Sequence, residues 1–104
     1  MHMLFSWNEK KRQRNLAIHG LDFKDARGVF DGLTFTFEDD RFDYPEHRFV
    51  TLGLLADTVV SIVHTETRGQ IHVISFRRAT RNETIIFFKR IQDQGTAEGQ
   101  HENE

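Results

Sequence analysis

Cysteine is absent from the 104 residues. That excludes a disulfide scaffold and a thiolate metal site, and agrees with a reducing, cytoplasmic setting. No apolar run approaches the length of a membrane span, and the first residues have no signal-peptide core, so no membrane role is expected. The six histidines, at 2, 19, 47, 64, 72 and 101, share no metal-ligand spacing. Neither a glycine-rich phosphate loop, nor a G-x-S-x-G elbow, nor an RNP-type aromatic run occurs. The residues therefore call for no metal and no cofactor.

Aromatic residues, by contrast, are plentiful. Ten phenylalanines and a 38% hydrophobic share suit one modest, aromatic-rich core. The net charge of −2 is unevenly spread. Asp93, Glu98, Glu102 and Glu104 fall in a closing stretch without Lys or Arg. Without them, 12 acids face 14 bases, so residues 1–92 carry +2. The expected organisation is one domain over 1–92 and an acidic, disordered tail over 93–104. A weakly basic domain permits a nucleic-acid partner whose contacts are clustered.

Local signals give an element order. Leu4 to Trp7 reads as a short strand. Asn8 caps a polar helix over EKKRQRNLAIH, which Gly20 stops. Asp22 caps a shorter helix with Phe23, Ala26 and Phe30 on one face. LTFTFED alternates as a half-buried strand, and DDRFDYPEH, with the one proline, is a loop. RFVTLGLLA, TVVSIVHTET and QIHVISFRR follow, separated by Ala56-Asp57 and Arg68-Gly69, as an antiparallel meander. A last helix opens at Thr80 and runs to about Ile91, with Ile85, Phe88 and Ile91 on its apolar side. The order β-α-α-β-β-β-β-α is an α+β domain with helices on a mainly antiparallel sheet.

The stretch VISFRRATRNE holds the strongest candidates. Thr80-x-x-Glu83 is a capping box, which gives Glu83 a sufficient structural role. Arg77, Arg78 and Arg81 crowd the positive end of a helix dipole, where acids are preferred. A phosphate would offset that charge, and surface acids would do so equally. Arg77 and Arg78 must point to opposite faces of their strand. His64 and Glu66, two apart, project from one face, and an imidazole near a basic groove suits proton transfer. Lys11, Asn15 and His19 stack as one polar row on the first helix, either solvated or facing a ligand.

The chain resembles the BrnT toxins of BrnT/BrnA type II toxin–antitoxin systems, which have a RelE-like fold. The resemblance rests on Trp7-Asn8 through Lys11, Asn15 and His19-Gly20-Leu21-Asp22-Phe23 to Val29-Phe30-Asp31, then VVSIVHTE, then VISFRRATRNE. It spans residues 4–88. It implies an endoribonuclease that cuts RNA, inhibits translation in the bacterial cytoplasm and is neutralised by a BrnA-like antitoxin in a higher-order complex. The positions carried over from the resemblance are Arg77, Arg81, His64, Glu66 and Glu83 as catalytic residues and Lys11 as an RNA contact. Arg78, Asn15 and His19 join Lys11 as expected RNA contacts from their places on the strand end and the first helix. Four positions depart from the family's pattern. Gly32 stands where an acid is common, Thr84 and Ile85 replace arginines, and Phe87 replaces a tyrosine. A non-catalytic module that binds a partner protein or nucleic acid, and regulates its own transcription, is the alternative.

Overall fold

The computed structural model describes residues 3–103, with side-chain detail for residues 3–94. In chain order it contains β1 (Leu4–Trp7), α1 (Glu9–His19), a 3-10 turn (Phe23–Asp25), α2 (Ala26–Phe30), β2 (Thr34–Glu38), β3 (Phe49–Leu55), β4 (Thr58–Thr67), β5 (Gln70–Arg78) and α3 (Arg81–Asn103). The five strands form one sheet in the order β1-β5-β4-β3-β2. β1 runs parallel to β5, and the other pairs are antiparallel.

The turns follow from the residues that make them. Asn8 Oδ1 accepts from the Lys11 N–H at 3.1 Å, and Gly20 ends α1 at φ 72°. Arg68 and Gly69 both adopt positive φ, 40° and 78°, as a tight hairpin between right-twisted strands requires. The hairpin fixes the register Glu66↔Ile71, and the ladder then carries Ser61↔Arg77.

Two cores lie on the two sides of the sheet. On one, Leu21, Phe23, Ala26 and Val29 pack against Val60, Ile62, Ile71, Val73 and Phe76. On the other, Phe87 of α3 packs against Val50, Leu52, Val59 and Val63. Gly53 lets α2 approach the first side closely. A Cβ there would stand 2.6 Å from Val29 Cγ1.

β5 holds one irregularity that decides where its side chains go. Val63 pairs with Ser75 but His64 pairs with Val73, so Ile74 is an extra residue, a β-bulge. Val73 and Phe76, three apart, therefore both enter the first core, and Arg77 emerges on the α3 side.

The edge of β5 changes protection at the same place. β1 pairs only as far as Val73. Beyond it the buried Asn15 of α1 takes over. Its Nδ2 donates to Phe76 O at 2.7 Å and to Leu21 O at 3.0 Å, and the Phe76 N–H donates to its Oδ1 at 3.1 Å. A side-chain amide thus supplies the hydrogen bonds that a neighbouring strand would have made.

α3 differs from expectation in two respects. It continues beyond Ile91 to Asn103. Its buried residue is Phe87, with Ile91 half-buried, while Ile85 and Phe88 are exposed. The orientation is set at the helix start, where Glu83 is drawn toward Arg77; Phe87, one turn on, follows it onto the sheet. The expected disordered tail over 93–104 falls mostly on residues whose side chains lie outside those described.

Candidate functional site

Arg77 leaves the end of β5 on the α3 side, with its side chain about one-third exposed. Its Nη1 donates to Glu83 Oε1 and its Nη2 to Glu83 Oε2, both at 2.9 Å. This fork-to-fork geometry is the most directional pairing available to the two side chains. Glu83 also closes the capping box. Its Oε1 accepts from the Thr80 N–H at 2.8 Å, and its own N–H donates to Thr80 Oγ1 at 3.1 Å. The Arg77 guanidinium and the Thr80 N–H hold the Glu83 carboxyl below the usual carboxylate range, against the opposing effect of burial. Capping and ion pairing, two alternatives in the sequence, are made by one carboxylate.

Arg77 and Glu83 border a concavity of about 170 Å³ at the end of the sheet, shared with Phe37, Asp39, Asp40 and Arg41. Arg41 was not singled out in the sequence. Its Nε and Nη2 donate to Asp39 Oδ1 and Oδ2 at 2.7 and 2.9 Å. The Arg41 side chain is 63% exposed while that of Asp39 is 1% exposed, so a buried anchor carries an accessible cation. The charge of Arg41 reaches Arg77 and works against Arg77's protonation, while the bond to Glu83 favours it.

The three arginines of VISFRRATRNE go separate ways. Arg78 turns to α1, and its Nη1 donates to His19 O at 3.2 Å. There it meets the negative end of a helix rather than a positive one. Arg81 lies exposed in the first turn of α3, with no ion pair among the described residues. Only Arg77 enters the concavity.

Lys11, Asn15 and His19 do come together, in a shallow groove of about 200 Å³ with Arg14, Ile18 and Ile74. Arg78 reaches the end of that groove through His19. Asn15, however, is buried and its amide is occupied by the backbone of Leu21 and Phe76. With both Nδ2 hydrogens donated to backbone carbonyls, the amide has no donor left for RNA.

His64 and Glu66 lie on the opposite side of the sheet from Arg77. Arg77 pairs across from Ser61, and His64 is three residues further along, an odd step that changes face. His64 has 0% exposure. Phe30 meets its ring edge-on at 5.2 Å and Phe49 stacks at 6.0 Å. Nε2 lies 2.7 Å from Thr51 Oγ1. Nδ1 stands 3.4 Å from Glu66 Oε2 without hydrogen-bond geometry. Burial lowers the imidazole pKa to about 4, so the ring is neutral at physiological pH. The expected imidazole beside a basic groove is instead an enclosed side chain on the α2 side.

Among the described residues no group of three or more His, Asp or Glu is placed to hold a metal. No described helix is long and apolar enough to cross a membrane.

The comparisons with known proteins agree with this architecture. No curated protein matches the chain. The crystal structure of the Brucella abortus ribonuclease toxin BrnT superposes with a TM-score of 0.56 and 26% identity, covering 76% of this chain and 99% of that one. The family model "Ribonuclease toxin, BrnT, of type II toxin-antitoxin system" matches residues 7–83, which run from the end of β1 to the carboxylate that holds Arg77. The chain belongs to the BrnT family of ribonuclease toxins of type II toxin–antitoxin systems.

Proposed function

We propose that this protein is an endoribonuclease that cuts RNA at the concavity bordered by Arg77 and Glu83, without a metal ion. The observation that carries the reading is the fixed guanidinium. Arg77 is clamped by both oxygens of Glu83 at 2.9 Å, yet keeps about a third of its side chain exposed at the mouth of the concavity.

The chemistry needs little beyond positioned charge. The substrate's own 2′-OH attacks the adjacent phosphorus, a new 2′-O–P bond forms, and the bond from phosphorus to the 5′-oxygen breaks. The products are a 2′,3′-cyclic phosphate and a 5′-hydroxyl. Nη1 and Nη2 of Arg77 donate to Glu83, and Nη1 also to Arg78 O. Arg77 therefore meets the phosphate through Nε–H and the second Nη2–H, and its charge opposes the one that builds on the phosphate oxygens. Arg77 takes this role; Arg81, exposed in the first turn of α3 and outside the concavity, is left to a flanking phosphate. Glu83 orients Arg77. Ionised at neutral pH, it is the carboxylate beside Arg77 to which the 2′-OH proton is assigned. It is favoured over His64 and Glu66, which the sheet separates from Arg77. The leaving 5′-oxygen takes its proton from water. Lys11, His19 and Arg78 contact flanking phosphates along the second groove.

In the cell, cleavage in the cytoplasm inhibits translation, and a BrnA-like antitoxin neutralises the toxin. One experiment tests both levels. The purified protein should cut single-stranded RNA with and without EDTA, and Arg77→Ala should slow it about a hundredfold or more. Expression should arrest growth unless the neighbouring open reading frame is supplied. An Arg77→Ala protein that cuts and arrests growth like the parent removes the reading.

A further inference from the structure

The loop between β2 and β3 carries Arg41 and the most exposed aromatic ring described, Phe42 at 68%. Tyr44 meets the Phe42 ring edge-on at 5.7 Å, and the Arg48 guanidinium lies 4.1 Å from the Tyr44 ring centre. The loop encloses a second concavity of about 500 Å³. It shares Glu38, Asp39, Asp40 and Arg41 with the one that Arg77 borders, so the two hollows are neighbours.

The loop is rich in acids, which would repel RNA if they were free. Most are paired. Asp39 holds Arg41, Glu46 holds Arg48 at 3.1 Å, and Glu38 lies 2.8 Å from His47 Nδ1. Among the described residues Asp40 and Asp43 have no ion pair, and Glu38 has one only when His47 is protonated. Asp39 and Glu46 act as anchors that aim cations.

We propose that this loop is the substrate-binding jaw of the cleavage site: Arg41, held by buried Asp39, binds the RNA phosphate opposite Arg77, and Phe42 stacks the adjoining nucleobase. The proposal rests on the nuclease reading above and extends it to a second phosphate contact and a base subsite. The Arg41 guanidinium carbon lies over the Phe42 ring, 5.9 Å from its centre, so the cation takes one face and the base stacks on the other, with the phosphate of the same nucleotide reaching Arg41. An exposed aromatic ring next to a cation is the usual platform for an unpaired base. Asp39 is a positioning residue, because it reaches substrate only through Arg41.

The test separates this jaw from the cleavage reading by measuring binding apart from cutting. A single-stranded RNA with 2′-O-methyl groups throughout cannot supply the attacking hydroxyl, so fluorescence anisotropy reports affinity alone. Arg41→Gln should weaken binding about tenfold or more and reduce the salt dependence by about one phosphate contact. Phe42→Ala should weaken it about tenfold with the salt dependence unchanged, and Phe42→Trp should restore it. Asp39→Asn should lower affinity less than Arg41→Gln does, with KM for unmodified RNA raised more than kcat is lowered. Circular dichroism confirms that each variant is folded. If Arg41→Gln and Phe42→Ala bind like the parent, the jaw is refuted even where the parent cuts RNA. If the parent binds and the variants do not, but unmodified RNA stays intact, the jaw stands and the cleavage reading falls. A parent protein that binds no RNA overturns both.

Discussion

Replacing Asn15 by alanine tests whether this side chain belongs to the substrate or to the scaffold. The substitution removes three hydrogen bonds at once, to Leu21 O, Phe76 O and the Phe76 N–H, at 3.0, 2.7 and 3.1 Å. Phe76 is fully buried, and β1 has already ended at the level of Val73, so no strand replaces the amide. Each buried backbone group left without a partner costs about 1–3 kcal/mol. Partial access of water beside α1 lowers the sum, and a total of about 3 kcal/mol is expected. For a domain of this size that is a fall in Tm of roughly 12–24 °C. Urea denaturation followed by circular dichroism, together with a thermal scan, measures it. Asn15→Asp sharpens the test, since a carboxylate still accepts from Phe76 N–H but faces two carbonyl oxygens. It should be at least as destabilised at pH 7 and recover in part on acidification. The scaffold account is refuted if Asn15→Ala loses less than about 1 kcal/mol while its affinity for RNA drops.

Two further outcomes follow from the same geometry. His64 has a folded-state pKa of about 4 against an ordinary 6.5, so its contribution is fully present above pH 6.5 and is lost as pH falls from 6.5 to 4. At pH 5 that loss is about 2 kcal/mol. It should show as a steeper drop in the urea midpoint between pH 7.5 and 5 than His64→Phe displays, and the imidazole should show no NMR titration above pH 5. Thr80→Ala removes the hydroxyl that accepts from Glu83 N–H and should destabilise by about 1 kcal/mol. RNA cleavage should be unchanged, because the Arg77–Glu83 fork does not involve that hydroxyl; a hundredfold loss of cleavage would contradict this.

Elements with local signals were legible in the sequence. Asn8 and Gly20 bound α1 where their cap chemistry says they should, and Arg68-Gly69 makes the turn of an antiparallel β4–β5 hairpin as expected. Thr80 and Glu83 form the expected capping box. The rest depended on contacts distant in sequence. Nothing in HVISFRR announces that Ile74 is an extra residue, and no local pattern shows that Phe87, rather than Ile85 and Phe88, turns inward. Phe87, at 1% exposure, occupies a site that suits a ring without a hydroxyl. Face parity did separate Arg77 from Arg78, and the same count applied from Ser61 to His64 separates the imidazole from Arg77. Arg41 escaped notice because it lies in an irregular loop, although a loop beside a sheet end is where binding residues concentrate.

The empty space at Gly53 has a wider reach than its own position. Val29 fills it from α2, and Phe30, the next residue along, forms one wall of the enclosure around His64. A methyl group added at position 53 would press on the side chains of Val29 and Thr34, at 2.6 and 3.2 Å. If α2 gives way rather than those side chains, Phe30 moves with it and the enclosure that lowers the His64 pKa loosens.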